Sequence, residues 1–362
     1  MPSSFLTTQL SSGVIRPRLS VQYGNTTLPV PQRVEVRTSR MAEAATFSAV
    51  FASSLSAPLQ LNLDSSSSFQ IFRGFSDDDL TGNSSSQTKL FSGSIDHIEY
   101  HPSSGTVQVS GRDWSAALMA LELSGLSFMN MSAAEAMTQL AQSAGLEADI
   151  DATDGFVGQF YQYEHKAHGL AGMHRYQTAW DFCVGMQRHY GYDLWVDDRT
   201  LHFRKPDENT DIITLNWSDG QTSSSGVDAA VLDMRMSHRP LYTEGVSVTV
   251  SAWDARQKVV HSASWPEGAA SGQMFTFTAP VGTTLDQCLV LVKQRYGELA
   301  AHGRTIRMDV NPALDLSVRQ KVRIQGTATS FDALVYTIDE IVQSFAEKHA
   351  TQSLMLRPRD IQ

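Results

Sequence analysis

Between Gln177 and Arg204 the hydrophobic period switches from helical to extended, and that switch restricts the chain more than any other stretch. Thr178 is placed to cap a helix whose inner face carries Trp180, Cys183, Val184 and Tyr190, with Gly191 just past its end. Tyr192, Leu194 and Val196 then alternate, Asp197 and Asp198 make a turn, and Leu201 and Phe203 alternate back. One segment therefore specifies a helix followed by a two-stranded hairpin. No residue in it belongs to a chemical constellation, so its expected role is architectural.

The flanking sequence is mostly β. Alternating runs occur at Leu19–Tyr23, Val34–Arg37, Phe47–Phe51, Leu59–Leu63 and Phe69–Phe75. Leu90–Tyr100 and Thr106–Ser110 follow, joined by the turn sequence His101-Pro102-Ser103-Ser104-Gly105. Closely spaced strands with polar turns predict a small barrel or sandwich. Helical pattern begins at Trp114, and Ser132 to Glu135 reads as a capping box for a helix with Ala136, Met137, Leu140 and Ala144 inward. The polar loop Ser218–Gly226 marks a junction, and β pattern returns over Val231–Val250. Residues 251–281 read as irregular apart from a strand at Met274–Phe277. A further helix starts at Thr283 or Thr284, with Leu285, Cys288, Leu289, Val292, Tyr296 and Leu299 inward, and the chain closes in strands from Arg304 onward. The expected fold is α+β, mainly β. It comprises a mobile arm over 1–16, a first small β-barrel over 17–113, an α/β helix–hairpin region over 114–217, and a second β-barrel over 218–362. The second barrel carries an inserted 251–301 segment that includes one helix.

Charge and composition exclude several functions. With a net charge of −10 and no cluster of Lys and Arg, the chain lacks the surface that specific nucleic-acid binding needs. No run approaches the ~18 apolar residues of a membrane span, and the opening MPSSFLTTQLSSGVIRPR has no signal-peptide pattern. The two cysteines, Cys183 and Cys288, both fall on predicted helix faces and read as buried thiols, not a disulfide.

Candidate chemistry is sparse. His165, His168 and His174 with Glu164 are spaced as a loop, without a recognised zinc-ligand spacing. Asp77-Asp78-Asp79 lacks the calcium-loop spacing and reads as a solvated turn. Glu122, Glu135 and Glu164 supply carboxylates, as any chain with 38 acidic residues would. Nucleophile-elbow, phosphate-loop and dinucleotide fingerprints are absent. The expectation is no catalytic set, no metal and no cofactor. Trp195, Trp253 and Trp265 could serve an adhesin if exposed, and otherwise read as half-buried packing residues.

The sequence also echoes itself. Ser94-Ile95-Asp96-His97-Ile98 recurs as Thr337-Ile338-Asp339-Glu340-Ile341, each followed by an Arg-Asp pair, Arg112-Asp113 and Arg359-Asp360. Gln70, Arg73 and Gly74 precede the first copy, and Gln320, Arg323 and Gly326 precede the second. Two related β domains would explain this. In an unbroken strand, residues three apart face opposite ways, so Ile95 and Ile98, like Ile338 and Ile341, are expected to cover both faces. One face would then meet a neighbouring domain or subunit.

The succession Val109-Ser110-Gly111-Arg112-Asp113, a capped helix ending in Ala141–Leu146, Gly191-Tyr192 and Leu201-His202-Phe203 resembles phage late control protein D, the baseplate hub family of contractile tails. The base of the type VI secretion spike is similar to that family. The closing strands Val335–Ile338 and Thr351–Leu356 look like its final hairpin, with Ala346–Ala350 where the family often has a glycine-rich turn. The resemblance implies a structural protein of the virion, assembled in the host cytoplasm and not an enzyme. It implies a homotrimer whose doubled barrels give a pseudo-six-fold ring, adapting a six-fold tail tube to a three-fold central spike. The implied partners are that spike, the tail tube or tube-initiator protein, and baseplate wedge proteins, with DNA passing through the ring unread. A tail-borne cell-wall hydrolase and a host-binding adhesin are the alternatives.

Overall fold

The computed structural model describes residues 16–53, 67–76, 87–123, 128, 131–154, 157, 176–206, 211–217, 231–242, 244–254, 258–268, 272–279, 283–346 and 349–358. The arm expected over 1–16 lies outside them except for Arg16, as does the strand expected at Leu59–Leu63.

The first module comprises β1 (Arg16–Tyr23), β2 (Thr26–Thr27), β3 (Arg33–Ser39), β4 (Thr46–Ala52), β5 (Phe69–Ser76), β6 (Thr88–His101) and β7 (Thr106–Asp113). Its strands run in the order β3-β4-β7-β6-β5-β1, antiparallel throughout, with β2 pairing the end of β1. Alternate residues of β7 are buried, the two-residue period that the sequence pattern demands. Val34, Val36, Ala49, Phe51, Ile71, Val107 and Val109 form the core, with Phe47 stacked on Phe69 at 4.4 Å between centroids.

Next come α1 (Ser115–Ala120), α2 (Ala133–Ser143), β8 (Glu147–Ile150), α3 (Ala179–Tyr190), β9 (Asp193–Asp197) and β10 (Thr200–Arg204). Strands β9 and β10 are the expected hairpin, and β8 adds in parallel to make the order β8-β10-β9. Ser132 and Glu135 form the capping box of α2, and Thr178 with Asp181 forms that of α3. Gly191 ends α3 at φ +72°, a left-handed value that favours glycine. Trp180, Phe182 and Cys183 of α3 pack on Leu140, Leu194, Leu201 and Phe203 in one core.

The second module comprises β11 (Ile212–Asn216), β12 (Val231–His238), β16 (Arg304–Val310), β17 (Lys321–Gln325), β18 (Val335–Ala346) and β19 (His349–Pro358). Its order is β12-β16-β19-β18-β17-β11. Strand β11 pairs in parallel with β17, so Ile212–Asn216 belongs to this module and not to the helix–hairpin region. The two modules are not separate barrels. Glu340–Ala346 of β18 pairs with Arg33–Ser39 of β3, which makes them halves of one 13-stranded sheet.

Between β12 and β16 lie β13 (Ser247–Asp254), β14 (Val259–Trp265), β15 (Met274–Thr278) and α4 (Leu285–Ala301). They form a three-stranded sheet, β14-β13-β15, with α4 packed against β13 and β14. The stretch expected to be irregular therefore contains β14, whose sequence VVHSASW buries only Ala263. A strand with one small core residue gives almost no hydrophobic signal. Thr284 caps α4 as expected, and Cys288, Val292, Tyr296 and Leu299 face the sheet as expected, but Leu285 and Leu289 do not. Leu291 is buried, while Leu285 and Leu289 are 47% and 39% exposed. Which apolar stripe faces inward is decided by the sheet beneath it, and α4 has apolar residues on both sides.

The orientation of α4 gives a direct stability test. Leu291→Ala is expected to cost about 2–5 kcal/mol in denaturant unfolding. Leu289→Ala is expected to stay within about 0.5 kcal/mol, as for an exposed site. Equal costs would mean that the helix face is misassigned.

Candidate functional site

The repeated pentapeptide falls at the same structural place in both modules. In β6, Ser94 pairs with Arg112 and Ile95 with Gly111, then Asp96 is skipped and His97 pairs with Ser110. In β18, Thr337 pairs with Arg357 and Ile338 with Leu356, then Asp339 is skipped and Glu340 pairs with Met355. Each copy is thus a β-bulge with an aspartate as the extra residue. Each aspartate meets an arginine of the adjoining strand: Arg112 Nε lies 2.6 Å from Asp96 Oδ2, and Arg357 Nε lies 3.4 Å from Asp339 Oδ2. The first pair is about one-third exposed, whereas Asp339 is 1% exposed and Arg357 12%.

The bulge corrects two expectations. An extra residue resets the alternation, so Ile95 and Ile98 lie opposite Gly111 and Val109, on one face. Ile338 and Ile341 likewise lie opposite Leu356 and Leu354. Both of the latter are in the core of the second module, and Ile95 and Ile98 are partly buried against the core of the first. The four isoleucines therefore do not cover both faces of their strands. Register makes Arg357, opposite Thr337, the match of Arg112, opposite Ser94, while Arg359 and Asp360 lie outside the described residues. The supposed match of Arg73 with Arg323 also fails. Register places Arg323 opposite Val335 and Arg73 opposite Thr88, and Arg73 is 3% exposed whereas Arg323 is exposed.

Beyond the bulges the correspondence covers whole modules. The neighbours of the bulged strand run β5-β6-β7-β4-β3 in one and β17-β18-β19-β16-β12 in the other, all antiparallel. Only the outermost strands differ, β1 being antiparallel and β11 parallel to their partners. In the Val109–Asp113 motif, a Cβ on Gly111 would come 2.0 Å from Ser94 O, so the close bulged crossing requires glycine there. Asp113 accepts hydrogen bonds from the backbone N–H groups of Ala45 and Ser115 and from the Ser115 hydroxyl. It ties β7 to the start of α1, and burial raises its carboxyl above the usual range.

Where the two modules meet the α/β region lies a cleft of about 1150 Å³. Arg40, just past β3, places Nε 2.7 Å from Asp193 Oδ1. Arg319 donates from Nη2 to Leu194 O at 3.2 Å and lies over the Trp195 ring at 4.2 Å. Trp195 also stacks on His202, whose Nδ1 is 2.8 Å from Asp149 Oδ2. Burial pushes the Arg319 guanidinium down to about 10, opposed by Asp193 and reinforced by Arg40. Asp193 thus pairs with Arg40 of the first module while Arg319 of the second holds the Leu194 carbonyl and the Trp195 ring, an arrangement that fastens three parts of the chain together. Arg73 makes a second fastening, donating to Pro312 O, Leu314 O, Gln352 Oε1 and Asp315 Oδ1 at 2.9–3.2 Å. Burial lowers its pKa, with Asp315 opposing. Arg40 and Arg319 were not singled out from the sequence, and Arg73 only as part of the echo, although a further signal existed: Arg73 is the one charged residue of Phe69–Phe75.

The other candidates are dispersed. Glu164, His165, His168, His174 and Asp77–Asp79 lie outside the described residues. Glu135 is committed to its capping box, and Glu122 bridges Thr178 through the backbone. Among the described residues, no three His, Cys, Asp or Glu side chains converge as metal ligands. Cys183 and Cys288 are buried and free, as expected, and burial pushes the Cys183 thiol up to about 12. Trp195 and Trp265 are half-buried, the latter under Lys293, while Trp253 is 45% exposed. Among the described residues no helix is long and apolar enough to cross a membrane.

This architecture is that of known tail proteins. A tail protein from Neisseria meningitidis superposes with a TM-score of 0.69 at 16% identity, covering 95% of this chain and 97% of its own. The 43 kDa tail protein of prophage MuSo2 from Shewanella oneidensis gives 0.67 at 13% identity, over 94% and 98%. An E. coli component of the type VI secretion system, described as structurally similar to the bacteriophage T4 tail proteins gp27 and gp5, gives 0.52 at 10% identity, over 93% and 76%. The fold is therefore that of phage tail and type VI secretion hub-like proteins, as the sequence resemblance implied. No curated protein matches in sequence. The chain belongs to the family described as the Alg8 N-terminal domain, which matches residues 62–276.

The two bulge aspartates should respond very differently to truncation. Asp339→Ala strands a buried cation and is expected to cost about 3–5 kcal/mol in denaturant unfolding. Asp96→Ala, at a partly exposed pair, should cost about 1 kcal/mol or less. Asp193→Ala leaves the largely buried Arg40 without its carboxylate and should match the Asp339 variant. If Asp193→Ala unfolds at the wild-type midpoint, the cleft does not fasten the modules.

Proposed function

We propose that this chain is a structural hub subunit of a phage tail or tail-like particle. Three copies form a pseudo-six-fold ring that adapts a six-fold tube to a three-fold central spike. The observation that carries this reading is the duplicated module. Two sheets of matching topology, each with a bulged aspartate in its central strand, give one chain two near-equivalent units, so three chains present six. The fold shared with tail proteins supports a place in the virion, with assembly in the host cytoplasm. The likeness to a secretion-system component compared with gp27 and gp5 supports a central spike below the ring. The tail tube or tube-initiator protein and the baseplate wedges are the other proposed partners.

On this reading the protein is not an enzyme. The arginine–carboxylate contacts at the cleft hold modules in place, and the work of the molecule is done at interfaces. DNA passes through the ring without being read, consistent with a net charge of −10.

Purified protein, alone or with the spike protein, is expected to sediment at three times the 39.8 kDa chain mass. A monodisperse monomer in the presence of spike protein would overturn the hub. On a peptidoglycan gel it should leave the substrate intact, and a cleared zone would return the hydrolase reading.

A further inference from the structure

The joint inside the chain has two halves that are present a second time. Strand β18 gives its N-terminal half to β17 and its C-terminal half, Glu340–Ala346, to β3. Its counterpart β6 gives its N-terminal half to β5, yet among the described residues no strand pairs with the same edge over His97–His101. The counterpart of β3 is β12, which pairs with β16 on one side. Among the described residues nothing pairs with its outer edge. Among the described residues each module thus leaves one half of such a joint unfilled.

We infer that β12 of one copy adds to the C-terminal half of β6 in the next copy, repeating between chains the β3–β18 joint found within one. This rests on the hub reading and names the surface through which the ring would close. The register follows from equivalent rungs. Val36 and Met236 occupy equivalent positions, opposite Phe47 and Ile306, and Gln343 is equivalent to Tyr100. Since Gln343 lies opposite Val36, Tyr100 comes to lie opposite Met236 of the next copy. By the same shift Glu99 meets Ser237, His101 meets Arg235 and Ile98 meets His238.

Three observations fit this pairing beyond topology. Tyr100 is 53% exposed, although its equivalent Gln343 is 6% exposed inside the existing joint. Docking of β12 would give Tyr100 the cover that β3 gives Gln343. The internal joint is also crossed by a diagonal ion pair, with Arg37 Nε 2.6 Å from Glu340 Oε1. In the inferred joint Glu99 faces Arg235 on the same diagonal, two residue pairs along, so opposite charges meet again. Finally, the bulge at Leu232 interrupts β12 beyond the inferred contact, a feature that limits uncontrolled edge pairing. A head-to-tail contact of this kind either closes into a ring or grows as a filament, and the rotation between the two modules decides which.

The test uses the full chain. Residues directly opposite in an antiparallel pair have Cα atoms about 4.5–5.5 Å apart, within disulfide range. Glu99→Cys with Ser237→Cys is therefore expected to give covalent multimers on mild oxidation, with most chains linked. Each single variant should remain unlinked. Tyr100→Lys, at a site exposed in the single chain, should preserve circular dichroism and unfolding midpoint while abolishing the oligomer. Glu99→Arg and Arg235→Glu should each weaken association at least tenfold, and the two together should recover most of it. An oligomer that persists in Tyr100→Lys, with no linkage in the double cysteine variant, would overturn this joint while leaving the hub reading intact. Wild-type protein that stays monomeric with spike protein would remove both.

Discussion

A β-strand has two hydrogen-bonding edges, and the way β18 divides one of them holds this molecule together. Its first residues give that edge to β17 and its last seven to β3, while the opposite edge runs the length of β19. The division is made by the bulge at Asp339, where the extra residue bends the strand and increases its local twist. The strand thus hydrogen-bonds to both modules while its Tyr336, Ile338 and Ile341 lie in the core of the second. The internal symmetry then follows, because β6 carries the same bulge at Asp96 with the same arginine partner.

The energetic burden is not shared equally between the copies. Asp96 and Arg112 sit in contact with water, where an ion pair adds little. Asp339 and Arg357 are buried at the junction of the modules, where loss of either partner leaves an uncompensated charge. The same logic places Asp193 against Arg40, Arg319 on the Leu194 carbonyl, and Arg73 among carbonyls of the 312–315 loop. Charged groups at these positions fix how the modules sit against one another, since a hydrophobic contact tolerates small slides that a hydrogen-bonded guanidinium does not.

Much of the fold was legible because its elements carry strong local signals. The capping residues Ser132, Thr178 and Thr284, the helix-ending Gly191 and the alternation in Val107–Val109 or Leu201–Phe203 each have a local cause. The echo around Asp96 and Asp339 was legible as a repeat, but its consequence was not. A bulge is a property of two paired strands, and a period read along one strand cannot register it, so Ile95 and Ile98 were assigned to opposite faces. Strand β14 was missed because Ala263 is its single buried residue, and the edge of the inner face of α4 was misplaced because Leu285 and Leu289 are apolar yet exposed while Leu291 is buried. The cleft arginines stayed hidden because their partners lie far along the chain, Arg40 on Asp193 and Arg73 on Asp315.

The architecture thus builds symmetry into a single chain, and the proposed ring extends it through the edges at β6 and β12. Electron cryomicroscopy of the assembled oligomer, viewed along its axis, tests this most directly. The account predicts six near-equivalent lobes around a channel, with β12 of each chain continuous with β6 of the next. A three-lobed ring in which both edges face solvent would contradict it.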